Sequence, residues 1–179
     1  MTTQKLKQKY EVVIPQLLVD LKLKNKMAVP RIDKVIVTVG TGSYKDKKKI
    51  EIVADRLAKI TGQKPTNTIA KKSIATFKLR AGDTSGLKVT LRGARMYDFL
   101  DRLINVAIPR ERDFRGLKTS AIDAMGNISI GFKEHTIFPE TADEDLKDIF
   151  SFGVTVATTA KNKNEALALF TALSFPFKK

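Results

Sequence analysis

The chain has 179 residues, a formal net charge of +14, 42% hydrophobic residues and no cysteine. That hydrophobic share suits one folded domain burying roughly 70% of the extended chain's surface, and it excludes a disordered basic tail. The missing thiols exclude disulfides, thiolate zinc sites and cysteine nucleophiles. No apolar run nears the roughly 20 residues needed to span a bilayer. Met1–Lys7 leads into no signal-peptide core; the absence of cysteine suits a cytosolic protein, and no membrane partner is expected.

Leu6, Tyr10, Val13, Leu17 and Leu21 recur at helical spacing. Pro15 lacks an N–H, so this helix is predicted to kink or split there. Lys22, Lys24, Lys26 and Arg31 follow around Pro30. They read either as a phosphate-docking cluster or as a solvated helix end favoured by the macrodipole. Lys34–Val39 alternates as a strand, with Val35, Val37 and Val39 inward. Gly40–Lys49 completes neither a Walker loop nor a dinucleotide loop, so a strand-ending turn is expected. Lys49–Thr61 is predicted to be an amphipathic helix, capped by Gly62. Pro65 starts an extended segment over Thr66–Ala70. Ile74–Arg80 is predicted to be a strand and Ala81–Gly86 a turn, so Lys71–Gly86 forms a long basic hairpin or loop, mobile at its tip.

Leu87–Gly93 alternates strictly. Leu87, Val89 and Leu91 point to one face; Lys88, Thr90 and Arg92 point to the other. An apolar face calls for a core, while ammonium, guanidinium and hydroxyl groups suit phosphate and ribose oxygens. Between Thr61 and Gly93, seven cations (Lys64, Lys71, Lys72, Lys78, Arg80, Lys88 and Arg92) stand against the single acid Asp83. Such self-repulsion points to a polyanionic partner.

Ala94–Ile108 carries the widest apolar helical stripe, and Pro109 is predicted to end it. Arg110, Arg112 and Arg115 follow, interleaved with Glu111 and Asp113, in an irregular arm. Asn127–Phe132 is a short strand. His135 is the only histidine; without a second histidine or any cysteine, a metal site is not expected and an exposed side chain is. Glu140, Asp143, Glu144, Asp145 and Asp148 form an acidic patch around a predicted short helix, lacking the pattern of a calcium loop. Phe152–Ala160 is a strand. Asn162–Glu165 has capping-box spacing and opens a last helix over Lys163–Leu173, with Ala166, Leu169, Phe170 and Leu173 inward.

Strands with one apolar and one polar face, alternating with amphipathic helices, imply one sheet with helices packed on a single side. Thr38, Thr76, Lys78, Lys88, Thr90 and Arg92 are expected on the open side. A nuclease or nucleotide enzyme would need a base with a metal or paired carboxylates. One histidine and scattered acids do not supply them. An indiscriminate polyanion or membrane-surface binder is the other alternative, and it would not distinguish one RNA from another.

Six blocks in order carry a resemblance: TGQKP at Thr61–Pro65, KKSIATFKLRAG at Lys71–Gly82, KVTLRGARMYDFLDRLINVAIPRERDFRG at Lys88–Gly116, GFKEHTIFPE at Gly131–Glu140, TTAKNKNEA at Thr158–Ala166 and ALSFPF at Ala172–Phe177. The chain resembles the 5S-rRNA-binding family of the bacterial large ribosomal subunit, the fifth protein in its conventional list. The resemblance implies a single α+β domain over residues 1–179. Its antiparallel-dominated, twisted β-sheet would carry helices on one face and leave the opposite face open for RNA. It implies a cytoplasmic ribosomal protein, not an enzyme and without a cofactor, that attaches 5S rRNA in the central protuberance. The implied rRNA contacts fall on Gln63, Thr90 and Thr38, beside the outward Lys88 and Arg92. The loop bearing Lys71, Lys72, Lys78 and Arg80 would reach peptidyl-site tRNA. Large-subunit rRNA, neighbouring 5S-associated ribosomal proteins and a small-subunit head protein at an intersubunit bridge complete the implied partners. The chain departs from the family at Thr38, usually Asn; at the loop tip Gly82–Gly86, which lacks a Pro-Ile; at Ala124–Gly126, usually Gly-Arg-Gly; and at Phe150–Phe152, usually Arg-Gly-Met.

Overall fold

The computed structural model describes residues 5–42, 44, 47–77, 79–112, 114–141 and 149–178. Its contacts form two compact units. One contains Met1–Val35, Arg92–Ile130 and Thr155–Lys179; the other contains Ile36–Leu91 and Gly131–Val154.

The fold is α+β, built on a five-stranded antiparallel sheet. Its strands are β1 (Ile32–Gly40), β2 (Thr66–Ile69), β3 (Thr84–Leu91), β4 (Ile128–Phe132) and β5 (Phe152–Thr158), in the order β2-β3-β1-β5-β4. Thr66 pairs with Lys88 and Thr68 with Gly86, so β2 and β3 run antiparallel. Individual contacts fix the other directions. Asp33 meets Arg92 while Thr41 meets Ser85; Arg31 meets Thr159 while Thr38 meets Gly153; Asn127 meets Thr158 while Ser129 meets Thr155. In each pair one number rises as the other falls, the signature of antiparallel neighbours. The inward residues, among them Val35, Val37, Leu87, Leu91, Ile128, Val154 and Val156, are almost wholly buried. Asp33, Thr38, Lys88 and Ser129 on the intervening positions are exposed. Period-two alternation thus sorts a core face from a polar face.

In the first unit, α1 (Lys5–Asp20) packs on α3 (Gly93–Arg102) and α5 (Lys163–Ala172). Pro15 does not split α1; it lies inside the helix on the exposed side. Burial of Leu6, Ile14 and Leu17, at roughly 1.5–3 kcal/mol each, offsets the roughly 3 kcal/mol that an internal proline costs. Nor does Pro109 end the next helix before it. A π-helical turn, Leu103–Ala107, in which the Ile108 N–H reaches back to the Leu103 carbonyl, leads into α4 (Ile108–Arg110). The wider turn gives room for a ring that would otherwise strike the carbonyl four residues earlier. At α5 the capping box is altered: Asn162 makes no side-chain cap, and Glu165 instead accepts the Lys161 N–H at 2.9 Å. Asp123 accepts both the backbone and side-chain N–H of Asn127, at 2.7 and 3.0 Å, which holds its carboxyl below the usual carboxylate range. Met125, in this turn, is exposed.

In the second unit, α2 (Lys47–Thr61) packs on β3 and on the 3₁₀ turn Pro139–Thr141. Val53, Leu57 and Ile60 are its buried stripe, and Gly62 closes it at φ +67°, its N–H bonding to the Ala58 carbonyl at 2.7 Å. Two strand boundaries differ from expectation. Ile74–Arg80 is not a strand: Ile74 and Leu79 exchange hydrogen bonds of 2.9 and 3.2 Å across a 3₁₀ turn, Ala75–Phe77. Thr76 therefore sits in that turn and not on the sheet. Conversely β3 starts at Thr84, inside the predicted turn, because Gly86 lets β1 approach: a Cβ there would lie 2.6 Å from the Val39 carbonyl oxygen. His135 is buried and not exposed. Its ring stacks on Phe150 at 4.2 Å and its Nδ1 accepts the Phe150 N–H at 3.4 Å. Phe152 stacks on Phe132 at 5.0 Å, so the departure at Phe150–Phe152 serves the core. Of the acidic patch, Glu140 is exposed; Asp143, Glu144, Asp145 and Asp148 lie outside the described residues.

Candidate nucleic-acid interface

Strand β3 sets the spacing of the candidate site. Lys88 is exposed and Thr90 half-buried, each flanked by buried apolar residues that fix the strand against its core. Gln63 follows the α2 cap, and its Nε2 donates to the Thr90 carbonyl at 3.4 Å. The chain reversal at Gly62 thus brings together two residues 27 positions apart. Thr38 is exposed on β1, in a register that places it alongside Leu87–Lys88. Its hydroxyl donates to the Gly153 carbonyl at 3.5 Å, leaving its lone pairs as acceptors. Thr66, paired with Lys88 and exposed, adds a further hydroxyl on this strand pair; its sequence signalled no more than an extended segment.

Arg92 stands at the N-cap of α3 and makes no side-chain cap. Its Nη1 lies 3.5 Å from the Asp33 carboxylate, which Lys34 approaches at 3.8 Å. The acid that holds Arg92 was not foreseen: a 59-residue separation leaves no local signal.

The loop between β2 and β3 presents Lys71, Lys72 and Arg80, all exposed; Lys78 lies outside the described residues. Its root is closed by paired bonds, Ala70 N–H to Asp83 O at 2.9 Å and Gly82 N–H to Ala70 O at 3.0 Å. Asp83 Oδ2 accepts the Arg80 N–H at 2.8 Å, and Ser73 Oγ accepts that of Ala81 at 3.0 Å. The loop is therefore organised by hydrogen bonds near its neck.

The groups on offer are ammonium, amide and hydroxyl, which hydrogen-bond phosphate and ribose oxygens. No cluster of three or more His, Cys, Asp or Glu among the described residues could hold a metal ion. No helix among them is long and apolar enough to cross a membrane.

Residues 25–80 match the family described as ribosomal protein L5, and residues 84–177 match the model of that ribosomal family's C-terminus. The large ribosomal subunit protein uL5 of Kosmotoga olearia is 48% identical over 176 residues, 97% of this chain and 96% of that protein. The chain belongs to the ribosomal protein L5 family. Among further relatives in that family, the large ribosomal subunit protein uL5 of Chloroflexus aurantiacus is 47% identical over 178 residues, covering 98% and 99% of the two chains. That of Halothermothrix orenii is 45% identical over 168 residues, covering 93% and 94%. The L5 relatives are ribosomal structural proteins and not enzymes.

Proposed function

We propose that this protein is a cytoplasmic structural constituent of the large ribosomal subunit that grips 5S rRNA on the polar side of β1 and β3 and attaches it in the central protuberance. The observation that carries the reading is the row of Thr38, Lys88 and Thr90, with Gln63 bonded to Thr90, on strands whose opposite faces are buried. A strand packed on one face cannot shift its outward groups independently, so they meet a folded RNA as a fixed template. Arg92 adds a guanidinium held by Asp33. Recognition here uses shape, phosphates and 2′-hydroxyls in preference to base sequence. The loop cations Lys71, Lys72, Lys78 and Arg80 reach peptidyl-site tRNA. Large-subunit rRNA, neighbouring 5S-associated proteins and a small-subunit head protein at an intersubunit bridge are the remaining partners.

A filter-binding titration tests the reading. Lys88→Ala combined with Thr90→Ala should weaken 5S rRNA binding about tenfold, given roughly 1.4 kcal/mol for the lost contacts, with the circular dichroism spectrum unchanged. Equal affinity of the parent protein for 5S rRNA and an unrelated RNA of the same length would overturn it.

A further inference from the structure

Strand β2 is an edge of the sheet, and its outer side borders a groove of about 540 Å³ against α2. The groove floor is apolar: Ile50, Ala54 and Ala58, one helical stripe of α2, face Pro65. All four are half-buried. Glu51 and Asp55, the adjoining exposed stripe, form one lip. Asp55 already meets Lys59 at 3.2 Å in an exposed pair, which is weak and exchangeable. Lys64 stands at the far end.

Backbone alternation decides what the edge offers. The Ser85 carbonyl bonds toward β1, so Gly86 and Lys88 direct their backbone groups toward β2. Their partners Thr68 and Thr66 turn back to β3. Asn67 between them therefore aims its N–H and C=O away from the sheet. Its side chain shares a face with its partner Leu87 and lines the groove. A two-bond backbone dock thus adjoins an apolar trough with acid on its lip.

We propose that this edge accepts an extended polypeptide segment as an added strand, seating an apolar side chain in the trough and basic side chains on Glu51 and Asp55. The chemistry selects that occupant. Nucleic acid would meet two carboxylates and an apolar floor, while a strand satisfies the free Asn67 groups. Thr66 and Lys88, on the opposite face, stay available to RNA. The surface is separate from the proposed rRNA site and does not depend on it.

The full chain, isotope-labelled, is titrated with a short acetylated peptide of alternating lysine and valine at physiological salt. Amide shifts confined to residues 50–58 and 64–69, with slowed exchange of the Asn67 N–H, are expected. Asn67→Pro removes the outward donor together with the lining amide, with Asn67→Ala, which keeps the N–H, as its control, and Ala54→Phe fills the trough from its open side; Asn67→Pro and Ala54→Phe should each abolish those shifts while the remaining spectrum is kept, and Asn67→Ala should retain them. Glu51→Lys with Asp55→Lys should weaken binding about fivefold, as two exposed pairs would. The proposal is overturned by shifts elsewhere, or by equal binding of a glutamate–valine peptide. Unchanged binding by Asn67→Pro and Ala54→Phe, a short RNA that moves the same amides, or self-association through them would also overturn it.

Discussion

Lys88 on β3 and Lys71, Lys72 and Arg80 in the preceding loop are exposed cations within one compact unit, yet their supports differ. Lys88 stands between Leu87 and Val89, both buried to about 1% exposure. The loop cations stand on a segment closed by the Ala70–Asp83 pair and by the Asp83 and Ser73 side chains, with Ile74 left exposed at its turn. The strand fixes its charge by burial; the loop fixes its charge by a few hydrogen bonds open to water. A strand of this kind suits a permanent, rigid RNA partner, while such a loop suits one that comes and goes.

Two glycines give the sharpest way to break this comparison. Gly86→Val should cost about 3 kcal/mol in urea unfolding, since the new side chain drives into the Val39 carbonyl. Gly82→Ala, in the loop, meets open space and suffers only from φ +97°, so about 1 kcal/mol is expected. Equal costs would show that the loop root and the strand are one cooperative element. Next in size, alanine at Lys71, Lys72 and Arg80 should leave 5S rRNA affinity within about twofold, whereas Lys88→Ala should lower the salt slope of binding by about 1. Thr41→Val acts on the strand side with the opposite sign. The hydroxyl of Thr41 is fully buried beside Ser85 and has no hydrogen-bond partner among the described residues, so its removal should raise stability by about 1 kcal/mol. Smallest, Asp83→Asn should leave global stability within about 0.5 kcal/mol but speed hydrogen exchange at the Arg80 N–H, which the carboxylate now accepts.

The sequence disclosed elements whose signals are local. The Val53, Leu57 and Ile60 stripe and the Gly62 cap specify α2, and alternation specifies β1 and the second half of β3. It misled where a distant partner decides. Thr84-Ser85-Gly86 has turn composition, but pairing with β2 and the close approach of β1 draw it into the strand. Ile74–Arg80 has strand composition, but Ile74 and Leu79 pair with each other and force a turn. His135 reads as a surface residue until Phe150 is placed on it. At the candidate site, Lys88 and Thr90 were legible from alternation, while Gln63 came only from the family resemblance. The bond from Gln63 to the Thr90 carbonyl, like that from Arg92 to Asp33, joins positions that no period or spacing connects.

The π turn at Leu103–Ala107 has a consequence for insertions and deletions. Such a turn holds one surplus residue within an otherwise ordinary screw, so loss of one residue there lets the helix rewind without rotating the residues beyond it. Anywhere else in the helix the same loss swings every downstream side chain by about 100°. Rewinding, however, would bring the carbonyl four places before Pro109 under its ring. The surplus residue and the proline therefore form a matched pair: a shortened helix becomes viable once Pro109 is also exchanged for a residue with an N–H, and the deletion alone is not neutral.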